Sequence, residues 1–358
     1  MATERKSKTS IQWIAIAAIV ALVIGAVGGY FYGNQVGYNA GLEAGAPKTI
    51  KVGWPGGLGF DHSPTIVAME KFAASYGIVV ERKYYGGSAL MSKAIETGDI
   101  DVAQGASLLT VSRLDIAGSN VTLIMSDKGN GWSFVAKAGI NALTDLEGKK
   151  FGILDKASYP YYFAVPLFAN AGVDINKVEM IAAGDSGTRL KALLAGQLDA
   201  TGLETNDVIT LLKEGGTDFS VLTSIATALP SWIGGAAYVK KSSLNDPTKR
   251  ELILKYVEAY IESCRWIWND VDRFKTYIPP FFPQLDKSIL NQTIDMYKSL
   301  KFWPQNGGVT MDLLTANAKL IWDQQLITQD IQGNMTYYVD LSILNQALTD
   351  LGTVSGWP

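Results

Sequence analysis

Three groups of residues are of types able to do chemistry. The first is the stretch Val52-Gly-Trp-Pro-Gly-Gly-Leu-Gly-Phe-Asp-His-Ser-Pro64, which joins four glycines to the chain's single histidine. A glycine-rich turn between a strand and a helix can cradle phosphate, and G-x-G-x-x-G is its usual spacing. Gly57 and Gly59 begin that pattern, but His62 stands where the third glycine belongs, so the stretch is not a nucleotide loop. His62 and Ser63 do not form a catalytic pair, because neighbours in a helix lead-in point apart and no third group orients them. The second is Cys264, the one cysteine, set in the apolar helical run Tyr256 to Trp268. It reads as a buried, inert thiol. One His and one Cys leave transition-metal chemistry short of ligands, and no cofactor is expected.

The third group suits binding rather than catalysis. Ser63, Ser88, Ser107, Ser158 and Ser186 each stand where a strand pattern hands over to a helical one. Helix N-termini offer free N–H groups and a partial positive charge, which suits a small anionic or polar solute. Serine is also an ordinary N-cap, serving only its own helix. Trp54, Phe60, Trp132, Tyr159, Tyr161, Tyr162 and Trp232 gather in the same loops, where a planar solute part could stack. Glu204 ends the strand Leu198–Leu203; it accepts from an amino group of a ligand or caps the helix that starts near Asn206.

The elements that must position these residues alternate. Strand-like runs Thr49–Gly53, Ile78–Tyr85, Asp101–Gln104 and Val121–Met125 are separated by helical runs Pro64–Tyr76, Ala89–Thr97 and Leu108–Ile116. Such alternation predicts βαβ units and a mostly parallel sheet. The chain then repeats itself: GGSALMSKAIETGDIDVAQGA (86–106) and GDSGTRLKALLAGQLDATGLE (184–204) coincide at six of 21 positions at an offset of 98. The coincidences include Ser88/Ser186, Gly98/Gly196 and Asp101/Asp199, and Lys51-Val-Gly53 matches Lys150-Phe-Gly152 at an offset of 99. Two similar α/β lobes are expected. Residues 49–136 and 237–358 would form the first and 137–236 the second, with Gly131–Lys137 and Trp232–Lys240 as the two crossings of a hinge. From Asp246 onward the pattern is nearly all helical. Ligands of open α/β sheets bind beyond the carboxyl ends of the strands, here in the cleft between the lobes.

The N-terminal segment stands apart. Ile11 to Tyr32 is a run of 22 residues without charge, long enough to span a bilayer core of ~30 Å and longer than the core of a signal peptide. Arg5, Lys6 and Lys8 precede it and place residues 1–10 in the cytoplasm, so the rest faces outward. The glycines from Gly25 to Gly45 recur every four residues, and most read as part of a tether, residues 33–48. Residues 1–32 carry a net charge of +2 within a total of −3, which leaves −5 outside and argues against nucleic acid as a partner.

The segments ALMSKAIETGDIDVAQGAS, ALTDLEGKKFGIL, RLKALLAGQLDATGLE and YYVDLSILNQALTDLG resemble those of extracytoplasmic solute-binding proteins of ABC importers, in the NMT1/THI5-like or SsuA-like group that binds nitrate, sulfonates, taurine or thiamine-pyrimidine precursors. The resemblance covers about residues 49–358. It implies a type II periplasmic-binding-protein fold, no catalysis, and delivery of a small solute to a membrane permease driven by an ATPase. Carried over residue by residue, the contact loops are Trp54-Pro55-Gly56, Gly87-Ser88, Gly105-Ala106-Ser107, Ala157-Ser158-Tyr159, Asp185-Ser186 and Glu204, with Trp132 added from the aromatics and Trp54 taken as the main contact of its loop. His62 is expected to stand aside. The loops lack an obvious cation, and Lys128, Lys156 and Arg189 lie near without a fixed aim, which leaves room for an amine-bearing, aromatic or neutral ligand.

Two other classes compete. A pyrimidine-synthase-like enzyme would need the cysteine-rich metal motif of that branch, which the chain lacks. An anchored solute sensor or surface-interaction protein would need an output, and about ten cytoplasmic residues hold no output domain.

Overall fold

The duplicated sequence builds duplicated sheets. The computed structural model describes residues 46–356; the expected cytoplasmic segment, the span 11–32 and nearly all of the tether lie outside them. Ten strands follow in order: β1 (Lys48–Pro55), β2 (Ile78–Tyr85), β3 (Val102–Ala106), β4 (Val121–Lys128), β5 (Trp132–Lys137), β6 (Lys150–Ile153), β7 (Glu179–Ala182), β8 (Ala200–Glu204), β9 (Phe219–Ser224) and β10 (Gly235–Lys240). They form two five-stranded sheets, β2-β1-β3-β10-β4 and β7-β6-β8-β5-β9. The two orders are the same plan used twice. β1 pairs in parallel with β3 and β6 with β8, while β10 and β5 run antiparallel to both neighbours.

The repeated residues do the same work in each copy. Asp101 accepts a hydrogen bond from the Lys51 backbone N–H at 2.9 Å, and Asp199 accepts one from the Lys150 N–H at 2.8 Å. Each aspartate thereby ties the start of one parallel strand to the next. Gly98 (φ +82°) caps the helix Ser88–Thr97 and Gly196 (φ +71°) follows the cap Ala195 of the helix Ser186–Leu194, each in the left-handed conformation that glycine adopts without a Cβ clash.

Each sheet takes its antiparallel strand from chain arriving from the other. The sheet pairing puts Trp132–Lys137 wholly in the second sheet and Gly235–Lys240 in the first. The crossings therefore fall at residues 129–131 and 225–234. The first comes a few residues before the boundary at 136/137, because β5 finds its hydrogen-bond partners in β8 and β9. The crossings touch backbone to backbone: a Cβ at Gly234 would overlap the carbonyl of Gly129 and lie 2.5 Å from the Asn130 nitrogen. Asn130 Nδ2 also donates to the Trp232 carbonyl at 2.6 Å.

Residues from Thr49 onward form one compact unit. Around the second sheet Phe134, Phe151 and Phe168 meet edge to face, with centroids 4.8 to 6.2 Å apart. The first sheet is covered by the long helix Pro247–Asn269, whose buried face includes Tyr256, Tyr260 and Cys264. The expected helix Pro64–Tyr76 is an α-turn Ser63–Val67 that loosens to a π-turn at Ala68–Phe72 and tightens to 3-10 at Ala73–Tyr76. Among the described residues no helix is long and apolar enough to cross a membrane.

Candidate functional site

A cavity of about 590 Å³ lies at the carboxyl ends of β1, β4 and β8, between the two sheets. Its volume is in the range of small-molecule sites. Ten expected residues line it: Pro55, Gly56, Ser88, Gly105, Trp132, Ser158, Tyr159, Asp185, Ser186 and Glu204. Ser107, Gly87 and Trp54 do not. Ser107 is buried and caps the helix Leu108–Ile116, accepting from the Thr110 N–H at 3.1 Å. Gly87 stands behind Ser88, where a Cβ would lie 3.0 Å from an Asp155 carboxylate oxygen. Trp54 is 1% exposed and packs against His62 and Tyr84, with centroids 5.4 and 5.9 Å away. It belongs to the core of the first sheet, while Pro55 and Gly56 after it line the cavity.

The serines differ from the expected caps in a regular way. Ser88 and Ser186 are the first residues of their helices, and Gly87 and Asp185 hold the cap positions. Asp185 accepts from the Thr188 N–H at 2.9 Å, which frees Ser186 Oγ to accept from the Glu204 N–H at 3.0 Å. Ser158 turns its hydroxyl to the Asp155 carbonyl.

The residues that dominate the cavity's electrostatics were not among those expected. Asp61 and His62 sit on a short 3-10 turn, Phe60–His62, and both line the cavity. Asp61 is 3% exposed and paired with Lys128 Nζ. Burial works to raise the Asp61 pKa, but His62, charged only in acid, and Lys128 outweigh it and hold the carboxyl below its ordinary value. Burial likewise opposes the charge on Lys128, which Asp61, Asp127 and Glu204 hold above its ordinary range. Burial pushes His62 down to about 4, so it is neutral near pH 7 and its 3.4 Å approach to Asp61 is not an ion pair. His62 is a wall of the cavity, not a bystander, but it is no base for Ser63, whose hydroxyl donates to the Phe60 carbonyl. Cys264 is buried, and its thiol is held well above the ordinary value by that burial.

Arg189 enters from the second half. Its guanidinium donates to the carbonyls of Gly202 (3.1 Å) and Gly184 and lies 5.6 Å over the Trp132 ring. Asp207 accepts from Asn206 Nδ2 at 2.9 Å, and burial raises its pKa to about 6. Glu204 is raised well above the carboxylate range, first by burial and then by the charge of Asp61. The two halves meet around these groups. Tyr159 Oη donates to the Ala106 carbonyl, and a Cβ at Gly59 would lie 3.3 Å from Glu204 Oε2.

The family profile described as NMT1/THI5 like matches residues 59–269. No curated protein matches by sequence. Solved structures share the fold. A protein of Bordetella bronchiseptica RB50 superposes with a TM-score of 0.73 at 16% identity, covering 85% of this chain and 98% of its own. The ligand-binding component of an ABC-type import system from Staphylococcus aureus, with zinc bound, gives 0.66 at 15% identity over 84% and 99%. The periplasmic nitrate-binding protein NrtA of Synechocystis PCC 6803 gives 0.66 at 12% identity over 86% and 90%. With the profile spanning more than half of its length, the chain belongs to the NMT1/THI5-like family.

Proposed function

We propose that this protein is a membrane-anchored solute-binding protein that takes up a small molecule between two lobes and hands it to the permease of an ABC importer. The observation that carries the reading is the cavity itself. It is enclosed between two sheets of identical strand order and lined from both by residues at strand ends and helix starts. The paired crossings at Gly129 and Gly234 supply a hinge about which the lobes open and close. Family membership and the names of the similar structures, a binding component of an importer and a nitrate-binding protein, support transport as the purpose. The charge-free run Ile11 to Tyr32 supports anchoring, with the binding unit outside the cytoplasm. The captured solute leaves unchanged, since neither His62–Ser63 nor Cys264 is arranged to react.

The test is a thermal-shift screen of the full chain in detergent against anionic, neutral and cationic small solutes, repeated with Gly187→Trp. Gly187 lines the cavity and a Cβ there meets nothing within 4 Å, so the variant fills the site without a clash at its root. A solute that raises Tm with concentration in the wild type and not in Gly187→Trp is the expected result. Equal shifts in both would place binding elsewhere.

A further inference from the structure

The charges around the cavity do not balance, and the imbalance has a location. Three cations line it: Lys191 is exposed, and the two buried ones are already engaged. Lys128 Nζ is paired with Asp61, and Arg189 is bonded to two backbone carbonyls while lying over Trp132. Neither is free to receive an anion. Of the carboxylates that line it, Asp185 and Asp286 cap helices, Asp207 is held by Asn206, and Glu214 is exposed. Glu204 is left over: its N–H is bonded to Ser186, and its carboxylate takes no hydrogen bond from any described residue. Asp61 gives one oxygen to Lys128, while the other, Oδ1, is fully buried and has no partner.

These two open acceptors converge on one point. A Cβ at Gly59 would overlap Asp61 Oδ1 and stand 3.3 Å from Glu204 Oε2, so both carboxylates approach the bare face of the Gly59 backbone. A buried acceptor without a donor costs on the order of 1–3 kcal/mol, more when charged, and a ligand donor placed there removes that cost. An anion placed there would meet two carboxylates, while the buried cations Lys128 and Arg189 are already engaged. Resting on the reading of the cavity as the solute site, we propose that the solute is a small organic cation, a protonated amine or guanidine, whose charged nitrogen sits between Glu204 and Asp61 beside Gly59. Trp132 and Tyr159, which also line the cavity, receive the rest of the molecule.

Protonation of the empty site fits the same arrangement. Glu204 faces Asp61 and Asp207 as well as Lys128 and Arg189, and burial together with the charge of Asp61 favours a proton on its carboxyl when no cation is present. An arriving cation replaces that proton, so binding releases it.

The test uses the full chain in detergent with agmatine, putrescine and phenethylamine as cations, ethanesulfonate and nitrate as anions, and zinc ion as a metal control. Thermal shift ranks them, and calorimetry in two buffers of different ionisation heat counts protons released. At least one organic cation is expected to raise Tm by several degrees and to bind with proton release. Glu204→Gln is expected to weaken that cation tenfold or more and to abolish the release, while leaving the unliganded Tm unchanged or higher. Stabilisation by an anion or by zinc alone, or a cation whose affinity ignores Glu204→Gln, overturns the cation assignment but keeps the solute-binding reading. If no probe of any class shifts Tm, both fail.

Discussion

Trp132 and Glu204 are direct partners across the antiparallel strands β5 and β8, so an indole and a carboxylate stand side by side on one face of the second sheet. That pairing exists only because β5, coming straight from the first sheet, inserts next to β8. The strand exchange that joins the two halves thus also builds one wall of the cavity.

The two tryptophans nearest the site should behave differently. Trp54→Ala should lower stability by about 3–5 kcal/mol, the usual cost of emptying a buried tryptophan site, and Trp54→Phe by less, with solute affinity in the folded Phe variant unchanged. Trp132→Leu should weaken binding with a smaller stability loss. Denaturant titrations and solute affinities of Trp54→Phe and Trp132→Leu check the contrast.

Lys128→Met should be among the most damaging single changes, because it leaves Asp61 buried without its cation; about 3–5 kcal/mol is the usual loss. Since Asp61 is held below its ordinary 3.8, the pair's contribution is present above that pH and lost as pH falls through the lower folded value. The damage should therefore shrink in strong acid. The double variant Asp61→Asn/Lys128→Met should recover most of the stability in urea titrations.

Asp207 sets a pH dependence of opposite sign. Burial raises its pKa from 3.8 to about 6, so its stabilising contribution is complete below pH 3.8 and is lost as pH rises to about 6. The unfolding free energy of Asp207→Asn relative to wild type should climb by up to about 3 kcal/mol across that window and stay flat above it. The difference between the two proteins is the quantity to measure, since His62, lowered to about 4, costs the wild type stability as pH falls from 6.5.

Gly234→Ala should separate the crossings. The added methyl would overlap the Gly129 backbone, and overpacking of this kind costs about 1–3 kcal/mol. Gly187→Ala, where the added atom meets nothing, should leave the urea midpoint in place.

Much of the fold could be read from the sequence because its signals are periodic. The strand–helix alternation put β2 and the helix Leu108–Ile116 at their observed bounds, and the Asp101/Asp199 coincidence marked a hydrogen bond made twice. The cavity lining was legible where a loop's position alone decides the matter, as at Ser158, Tyr159 and Asp185. It was not legible where one residue of register decides it. β1 runs on to Pro55 rather than stopping near Gly53, and because side chains alternate along a strand, Trp54 turns into the core. Lys128 ends a strand buried along its whole length, so no polar–apolar alternation shows which side it takes. Its place at the carboxyl end of β4 was the usable signal. For Arg189 the signal was weaker, since the packing of Trp132 and the carbonyls of Gly202 and Gly184 fix where its guanidinium goes.

The central claim is that the cavity between the sheets is where solute is held. A crystal structure of the protein grown with whichever solute raises Tm most tests it directly. The account predicts electron density enclosed between Asp61 and Glu204 and lying along Trp132. Density on the outer surface, with the cavity holding only water, would contradict it.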